Sequence, residues 1–231
     1  MSSKHFKFVV SVLPLLSLLG TSGAMAKAVT YVVDDPKKED LVSFTSDAPI
    51  ELIVGHTNQI KGTVNIDDSL DLTKKPLDAQ FDVDLASIDT GIPLRNEHMR
   101  DNFLETKKYP KATFKATSII ARPTIQLNGK MGGRQTVLKD GYATQLEATG
   151  EFTLHGKTIE KQIQLSATFR KTCSSQQKFD KCDLIQIKAT FPISLQEYGI
   201  QRPQIVFQKL ANDVIVTISA TAHVSSAKPT K

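Results

Sequence analysis

The chain has 231 residues, of which 40% are hydrophobic and 23% charged, and its formal net charge is +5. This excess of positive charge is too mild for a protein that binds nucleic acid electrostatically, so we expect no nucleic-acid partner. The length suits one large domain or two small ones, either of which can bury a substantial core.

The first 26 residues have the three-part order of an export signal. Lys4 and Lys7 precede the charge-free segment Phe8–Leu19, and small residues ending at Ala26 follow it. The apolar segment has 12 residues, whereas a membrane-spanning helix needs about 20. We predict a signal peptide over residues 1–26, cleaved after Ala26, and a periplasmic location. An uncleaved N-terminal anchor is the alternative.

From residue 27 onward, apolar and polar residues alternate in several separate runs. In chain order, these runs contain Phe81 and Val83, Phe152 and Leu154, Ile163 to Phe169, Ile185 to Phe191, and Val214 to Ala220. Period-two alternation is typical of strands with one buried face. Because long antiparallel strands must pair or close, the pattern predicts one all-β domain over residues 27–225, either a barrel or a sandwich. Residues 226–231 are predicted to be a flexible tail.

The segment Gly91–Lys108 breaks this alternation. Pro93 suits the first turn of a helix, and Leu94, Met99 and Phe103 recur at roughly helical spacing. The segment is therefore predicted to form one short amphipathic helix between two strands.

The two cysteines, Cys173 and Cys182, both follow the predicted signal. An even number of cysteines in an exported protein predicts a disulfide. The intervening residues are polar, as in a loop between strands, and closing so short a loop stabilises a fold by roughly 2–3 kcal/mol. A redox-active pair is the alternative, although the spacing is not CxxC.

Catalytic motifs are missing from the sequence: it contains no GxSxG, HExxH or P-loop pattern. We therefore expect no catalysis, no metal and no cofactor. His56, His98 and His155 are not at a metal-clamping spacing, but side chains distant in sequence can converge in a fold. A metal-dependent enzyme that uses these three residues is kept as an alternative.

Three stretches carry a more specific pattern. Ile88–Ile119 has Asp-Thr at a strand end, Arg and His in the helical segment, and then Phe-Leu and Tyr-Pro. Gly150–Leu165 contains the turn LHGKT, and Ile193–Ile200 contains Tyr-Gly-Ile. Together with the last strand, these stretches resemble the YceI-like family of exported, lipocalin-like lipid-binding proteins. The longer stretch Pro123–Val137, and Tyr31 in place of an early tryptophan, depart from the family pattern.

The resemblance implies a closed antiparallel β-barrel of about eight strands whose apolar cavity holds one extended isoprenoid-type lipid, such as a polyprenyl quinone. The lipid is a ligand, not a cofactor, and each buried methylene contributes about 0.8 kcal/mol before the cost of ordering the chain. We predict that Arg95, His98 or Arg100 meets a polar headgroup, with Arg95 as the named site residue. The predicted cavity wall consists of Phe44, Phe81, Met99, Phe103, Phe114, Phe152, Leu154 and Phe169.

The sequence leaves partners and role open. The basic residues Lys107, Lys108, Lys111 and Lys115 form either a solvated face or a transient contact with a membrane surface or membrane protein. The alternative function is an accessory protein in redox or stress physiology that acts through a membrane cytochrome or another protein. The oligomeric state is not fixed, and a dimer is left open. The sequence does not choose among lipid storage, transport and sensing.

Overall fold

The computed structural model describes residues 27–125, 131–171, 183–203 and 208–225. The predicted signal peptide, the predicted tail and the predicted Cys173–Cys182 disulfide lie outside the described residues, so all three stay predictions.

The described residues form twelve strands and one short helix. Helix α1 (Pro93–His98) begins with the proline in its first turn and continues into a π-helical turn at Met99–Phe103. A 3₁₀ turn, Leu85–Ser87, follows β5. The strands are β1 (Ala28–Asp34), β2 (Leu41–Asp47), β3 (Leu52–Thr57), β4 (Ile60–Asp67), β5 (Leu77–Asp84), β6 (Lys111–Ala121), β7 (Pro123–Ile125), β8 (Met131–Arg134), β9 (Ala143–Leu154), β10 (Lys157–Lys171), β11 (Asp183–Ser194) and β12 (Asp213–Val224).

Eight of these strands close into an antiparallel barrel. Their order is β1-β4-β5-β6-β9-β10-β11-β12, and β12 returns to pair with β1 through Tyr31 opposite Val224 and Val32 opposite His223. Closure leaves these strands without a free sheet edge. The predicted all-β fold, a closed antiparallel barrel with one short helix, is confirmed.

The alternation of apolar and polar residues along the strands corresponds to alternating burial, as expected. In β9 the side chains from Thr144 to Leu154 alternate, and Leu146, Ala148 and Phe152 are buried. The Phe152 ring meets the Phe191 ring edge-on, with centroids 6.1 Å apart. These inward residues belong to one continuous apolar interior. Burial also raises the pKa of Tyr31 to about 12.

Strand β12 changes its neighbour on one side along its length, and we call the point of this change the fork. Beyond its short pairing with β1 it pairs with β2, and β2 pairs with β3, so the β2–β3 hairpin widens the wall at one end. The buried carboxylate of Asp40 lies at the fork, where its Oδ1 accepts a hydrogen bond from the Thr221 N–H at 2.8 Å. His56 of β3 then exchanges two backbone hydrogen bonds, each 2.9 Å long, with Asp89.

The opposite end of the barrel is closed by two chain segments. Leu72 N–H donates to the Thr136 carbonyl at 2.7 Å, and Leu138 N–H donates to the Leu70 carbonyl at 3.0 Å. The side chains of Leu72 and Leu138 are buried. We call this the sealed end and the end near α1 the helix end.

The helical segment is shorter than the predicted span, Gly91–Lys108. The Leu104 N–H bonds to the Met99 carbonyl, five residues back, which forms the π-helical turn. Glu105 then adopts a positive φ of 46°, and a left-handed residue cannot continue the helix. Within the described residues, no helix is both long and apolar enough to cross a bilayer.

Candidate ligand cavity

The barrel encloses an apolar cavity with two lobes. The inner lobe, toward the sealed end, has a volume of about 120 Å³, and the outer lobe, toward the helix end, about 160 Å³. Both lobes are bounded by five common wall residues, Val83, Ala112, Phe152, Phe191 and Ile218. The two lobes therefore adjoin, and the two shared aromatic rings are those of Phe152 and Phe191.

The wall of the inner lobe is apolar apart from Thr113. Alanines such as Ala116 and Ala148 leave room between the larger side chains of facing strands. Such a lobe can hold a hydrocarbon chain, but it has no charged group with which to pair a polar head.

The outer lobe is built partly outside the eight-stranded barrel. The β2–β3 hairpin contributes Phe44 and Gly55, and the helical segment contributes Met99 and Leu104. Phe44 and Gly55 are cross-strand partners, and the Phe44 ring lies directly over the glycine. A side chain at residue 55 would occupy the space of the ring, so this close approach requires glycine.

Six of the predicted wall residues line the cavity. Phe81 and Phe114 line the inner lobe, Phe152 lines both lobes, and Phe44, Met99 and Leu154 line the outer lobe. Phe169 is buried in the core toward the sealed end, and Phe103 packs against the core near the helix end. Neither Phe169 nor Phe103 is among the residues that line the two lobes. Ligand contact stays a prediction for all of them.

Arg95, the predicted headgroup contact, is engaged within the protein. Its Nη1 donates to Glu51 Oε1, its Nε to Thr90 Oγ1 and its Nη2 to the Thr90 carbonyl, each at 2.9 Å. Asn96 adds hydrogen bonds to Thr90 and to Asp89 Oδ1. These bonds join α1 to the residue before β3 and to the segment after β5, so a headgroup would have to compete with them for Arg95.

The other two headgroup candidates lie on the surface of the helical segment. His98 is exposed, and Arg100 is half-buried beside a shallow depression that Asp89 and Asn96 also line. The Gly91 N–H and the Asn96 amide hold the pKa of the Asp89 carboxyl below its usual value. Neither His98 nor Arg100 lines a lobe of the cavity.

His155 occupies the tight turn between β9 and β10. Its Nδ1 lies 3.2 Å from the Tyr198 carbonyl oxygen, and its Nε2 lies 3.8 Å from Glu105 Oε1. Since a carbonyl oxygen only accepts, Nδ1 carries the proton. Tyr198 is fully buried with its ring 5.6 Å from Phe152, and burial raises the pKa of its hydroxyl. His155 thus connects three segments around the outer lobe.

The metal-site alternative finds no geometric support in the described part of the chain. No group of three or more His, Cys, Asp and Glu side chains there could hold a metal ion. His56 is on β3, His98 on the helical segment and His155 in the β9–β10 turn, and they do not form a cluster.

The barrel fold has its counterpart in known proteins. The sequence model of the YceI-like domain matches residues 31–222, which is most of the chain. The chain belongs to the YceI-like family. The resemblance seen in the sequence is therefore confirmed.

The matched relatives are moderately similar. A UPF0312 protein of Vibrio parahaemolyticus is 30% identical over 148 residues, which cover 62% of this chain and 65% of the relative. Protein YceI of Escherichia coli O157:H7 is 29% identical, over 63% of this chain and 65% of its own length. A UPF0312 protein of Pseudomonas putida is 27% identical over 86% of this chain and 92% of its length. The chain thus spans slightly less than two thirds of the first and second relatives.

Two solved structures share the YceI-like fold. BcnA of Burkholderia cenocepacia superposes with a TM-score of 0.59 at 17% identity, over 82% of this chain and 98% of that one. A polyisoprenoid-binding domain of Saccharophagus degradans superposes with a TM-score of 0.58 at 19% identity, over 86% and 100%. At these identities the likeness shows the fold.

Sequence reasoning missed two glycines that lie beneath aromatic rings of the cavity wall. Gly55 and Gly62 lie opposite Phe44 and Phe81 in the register of their strands, and both rings lie over the glycines. The available signal was a glycine inside a strand, which marks the close approach of another group. Leu104 and Leu210 of the outer lobe were also missed, because neither belongs to an alternating run.

Proposed function

We propose that this chain is a periplasmic binding or carrier protein that holds the hydrocarbon tail of an extended isoprenoid-type lipid. The observation that carries the proposal is the two-lobed apolar cavity between the sealed end and the helix end. An isoprenoid tail buries apolar surface at about 0.8 kcal/mol per methylene-sized group, offset in part by the ordering of the chain.

Two further observations support this choice of ligand. The Saccharophagus degradans domain with the same fold is described as polyisoprenoid-binding. The cavity is also elongated, because the two lobes adjoin along the barrel and share wall residues that include Phe152 and Phe191. A linear chain fits two lobes in series better than a compact ring system does. A polyprenyl quinone has a linear isoprenoid tail of this kind. Its tail would lie inside the cavity, with its ring toward the helix end.

The sharpest test is to identify what the protein carries. The protein is purified from the periplasm of its native host, and its organic extract is analysed by mass spectrometry. We expect a near-stoichiometric isoprenoid lipid. An empty cavity, or co-purification of a stoichiometric protein without lipid, would instead favour the accessory role in redox or stress physiology.

A cavity-filling variant tests the location. Ala148→Leu places a larger side chain in the wall of the inner lobe, whereas Ala143→Leu changes an exposed residue of the same strand. We expect Ala148→Leu to lower the affinity for an isoprenoid alcohol about tenfold, the loss of one or two buried methylenes. Ala143→Leu is the matched control and is expected to bind like the unmodified protein. Equal binding by both variants would place the tail elsewhere.

A further inference from the structure

Exposed apolar side chains are concentrated at the helix end of the barrel. Of the ten large apolar side chains that are exposed in the described residues, six lie in this region. Leu52 and Leu94 are the most prominent pair, with exposed fractions of 63% and 60%. We call the set the helix-end patch: Ile50, Leu52, Val54, Ile92, Leu94 and Ile215. Concentrated apolar exposure of this kind marks an interaction surface more often than a scattered distribution does.

The strand part and the helix part of the patch are joined. The ion pair between Glu51 and Arg95, 2.9 Å long, links the residue before Leu52 to the residue after Leu94. In the register of the strands, Ile215 lies opposite Thr45, which lies opposite Val54. The patch therefore extends across the outer face of the hairpin to the start of α1.

The patch also borders the candidate cavity. Val54 directly precedes Gly55, which lines the outer lobe, and the helical segment that begins beside Leu94 contributes Met99 and Leu104 to the same lobe. The hairpin and the helical segment, which expose most of the patch, are thus the two elements outside the barrel that wall the outer lobe.

Charge does not dominate this surface. The charged pair within the patch, Glu51–Arg95, is neutral as a unit. Two lysines of the basic stretch also face carboxylates, because Lys107 lies 3.5 Å from Asp101 and Lys111 lies 3.8 Å from Asp82. At the patch itself, burial of apolar side chains is therefore the main available driving force.

A second copy of the chain is a less suitable occupant. Two copies that paired through β3 would need a long unpaired backbone edge. The edge of β3 is occupied at His56, whose N–H and carbonyl both bond to Asp89. The remaining stretch, around Leu52 and Val54, is too short for a stable ladder.

We propose that the helix-end patch docks onto the surface of a lipid bilayer and places the outer lobe against the membrane. The inference rests on the proposed function, because an isoprenoid tail must pass between a bilayer and the cavity without entering water. The apolar side chains of the patch enter the interfacial region, and the tail then moves between the bilayer and the outer lobe.

The test compares exposed side chains at the two ends of the barrel. The double variant Leu52→Gln/Leu94→Gln removes the centre of the patch, and Tyr142→Gln changes a side chain of matched exposure, 64%, next to Lys139 and far from the patch. All three side chains are exposed, so folding should be preserved. Each protein is sedimented with phosphatidylcholine vesicles at low and high salt, and its affinity for farnesol in solution is measured separately.

We expect the double variant to lose at least tenfold in vesicle partitioning while its farnesol affinity is unchanged, and the Tyr142→Gln protein to match the unmodified chain. The partitioning should be nearly independent of salt. Unchanged partitioning of the double variant, no partitioning of the unmodified protein, or a strict need for anionic lipid would overturn the proposal. So would a dimer of the unmodified protein that the double variant converts to a monomer in analytical ultracentrifugation. Docking without any farnesol binding would remove the proposed function instead and leave the docking surface intact.

Discussion

The contact between Phe44 and Gly55 permits a direct test of the outer lobe. A methyl group on Gly55 would lie 2.3 Å from Cε1, 2.8 Å from Cζ and 3.1 Å from Cδ1 of the Phe44 ring. Carbon atoms pack at about 3.5–4.0 Å, so Gly55→Ala requires the ring to move by roughly 1.2 Å or more. The three nearest atoms all belong to that ring, which can move into the adjoining 160 Å³ lobe.

The stability cost of this movement should be small. A side-chain torsion about 30° from its minimum costs roughly 0.5–1.5 kcal/mol, whereas replacing glycine by alanine recovers about 0.4–1 kcal/mol from the unfolded chain. We therefore expect the free energy of unfolding to change by no more than about 1 kcal/mol. The ligand loses the space that the ring enters. If that space holds two methylene groups, the affinity for an isoprenoid falls by about 1.6 kcal/mol, or roughly fifteenfold.

Displacement of an environment-sensitive fluorophore by farnesol, together with urea denaturation, measures both quantities. Gly133→Ala is the matched control, because a methyl group there meets nothing within 4 Å. Undiminished farnesol affinity in a folded Gly55→Ala protein would refute the placement of the tail beside Phe44. A loss of stability above about 3 kcal/mol would show that the ring cannot move into the lobe.

Three further predictions concern stability. Gly62→Ala should lower the free energy of unfolding by about 2–3 kcal/mol in urea denaturation, because its methyl group would lie 2.6 Å from the Gln80 carbonyl oxygen, a backbone atom that cannot move aside. Asn96→Ala should cost about 1–3 kcal/mol, because it removes the bonds that join α1 to Thr90 and Asp89. Burial, only partly opposed by the hydrogen bond from Thr221, raises the pKa of Asp40, so the native state holds its proton more tightly than the unfolded state. Stability should therefore fall as pH rises from about 4 through the raised pKa, and Asp40→Asn should flatten this slope in denaturation measured across pH.

The first two of these predictions each have an internal comparison. Gly55→Ala is the comparison for Gly62→Ala. The methyl group at residue 62 would meet backbone as well as a ring, whereas the methyl group at residue 55 would meet only a ring. For Asn96→Ala the comparison is Asn102→Ala, because Asn102 is an exposed residue of the same helical segment. Asn102→Ala should leave stability nearly unchanged. A Gly62→Ala protein as stable as Gly55→Ala, equal costs at residues 96 and 102, or an unchanged pH slope in Asp40→Asn would contradict the corresponding reasoning.

The all-β fold was predictable because alternation reports burial directly: runs such as Ile163 to Phe169 turn their apolar side chains inward. Alternation alone left a barrel and a sandwich open, and the family resemblance indicated the barrel. The split of β12 between β1 and β2 was not predictable. The buried Asp40 bonds to Thr221 at the split, but an aspartate near a turn has many commoner roles. The role of Arg95 could not be predicted from the sequence for a similar reason. An arginine suits contact with a headgroup, but its partners Glu51 and Thr90 are distant or unremarkable in the sequence and are identified only by the fold.

The cavity also fixes which way an isoprenoid lipid would lie, if the proposed function holds. A polar head placed in the inner lobe would find only Thr113 among apolar walls, and an unpaired polar group costs roughly 2–7 kcal/mol to bury. That cost equals the gain from several methylene groups, so the tail would occupy the inner lobe and the head would stay toward the helix end. The Leu70–Leu72 and Thr136–Leu138 segments bond across the sealed end. Under the proposed function, entry and release would therefore take place at the helix end, the same end that exposes Leu52 and Leu94.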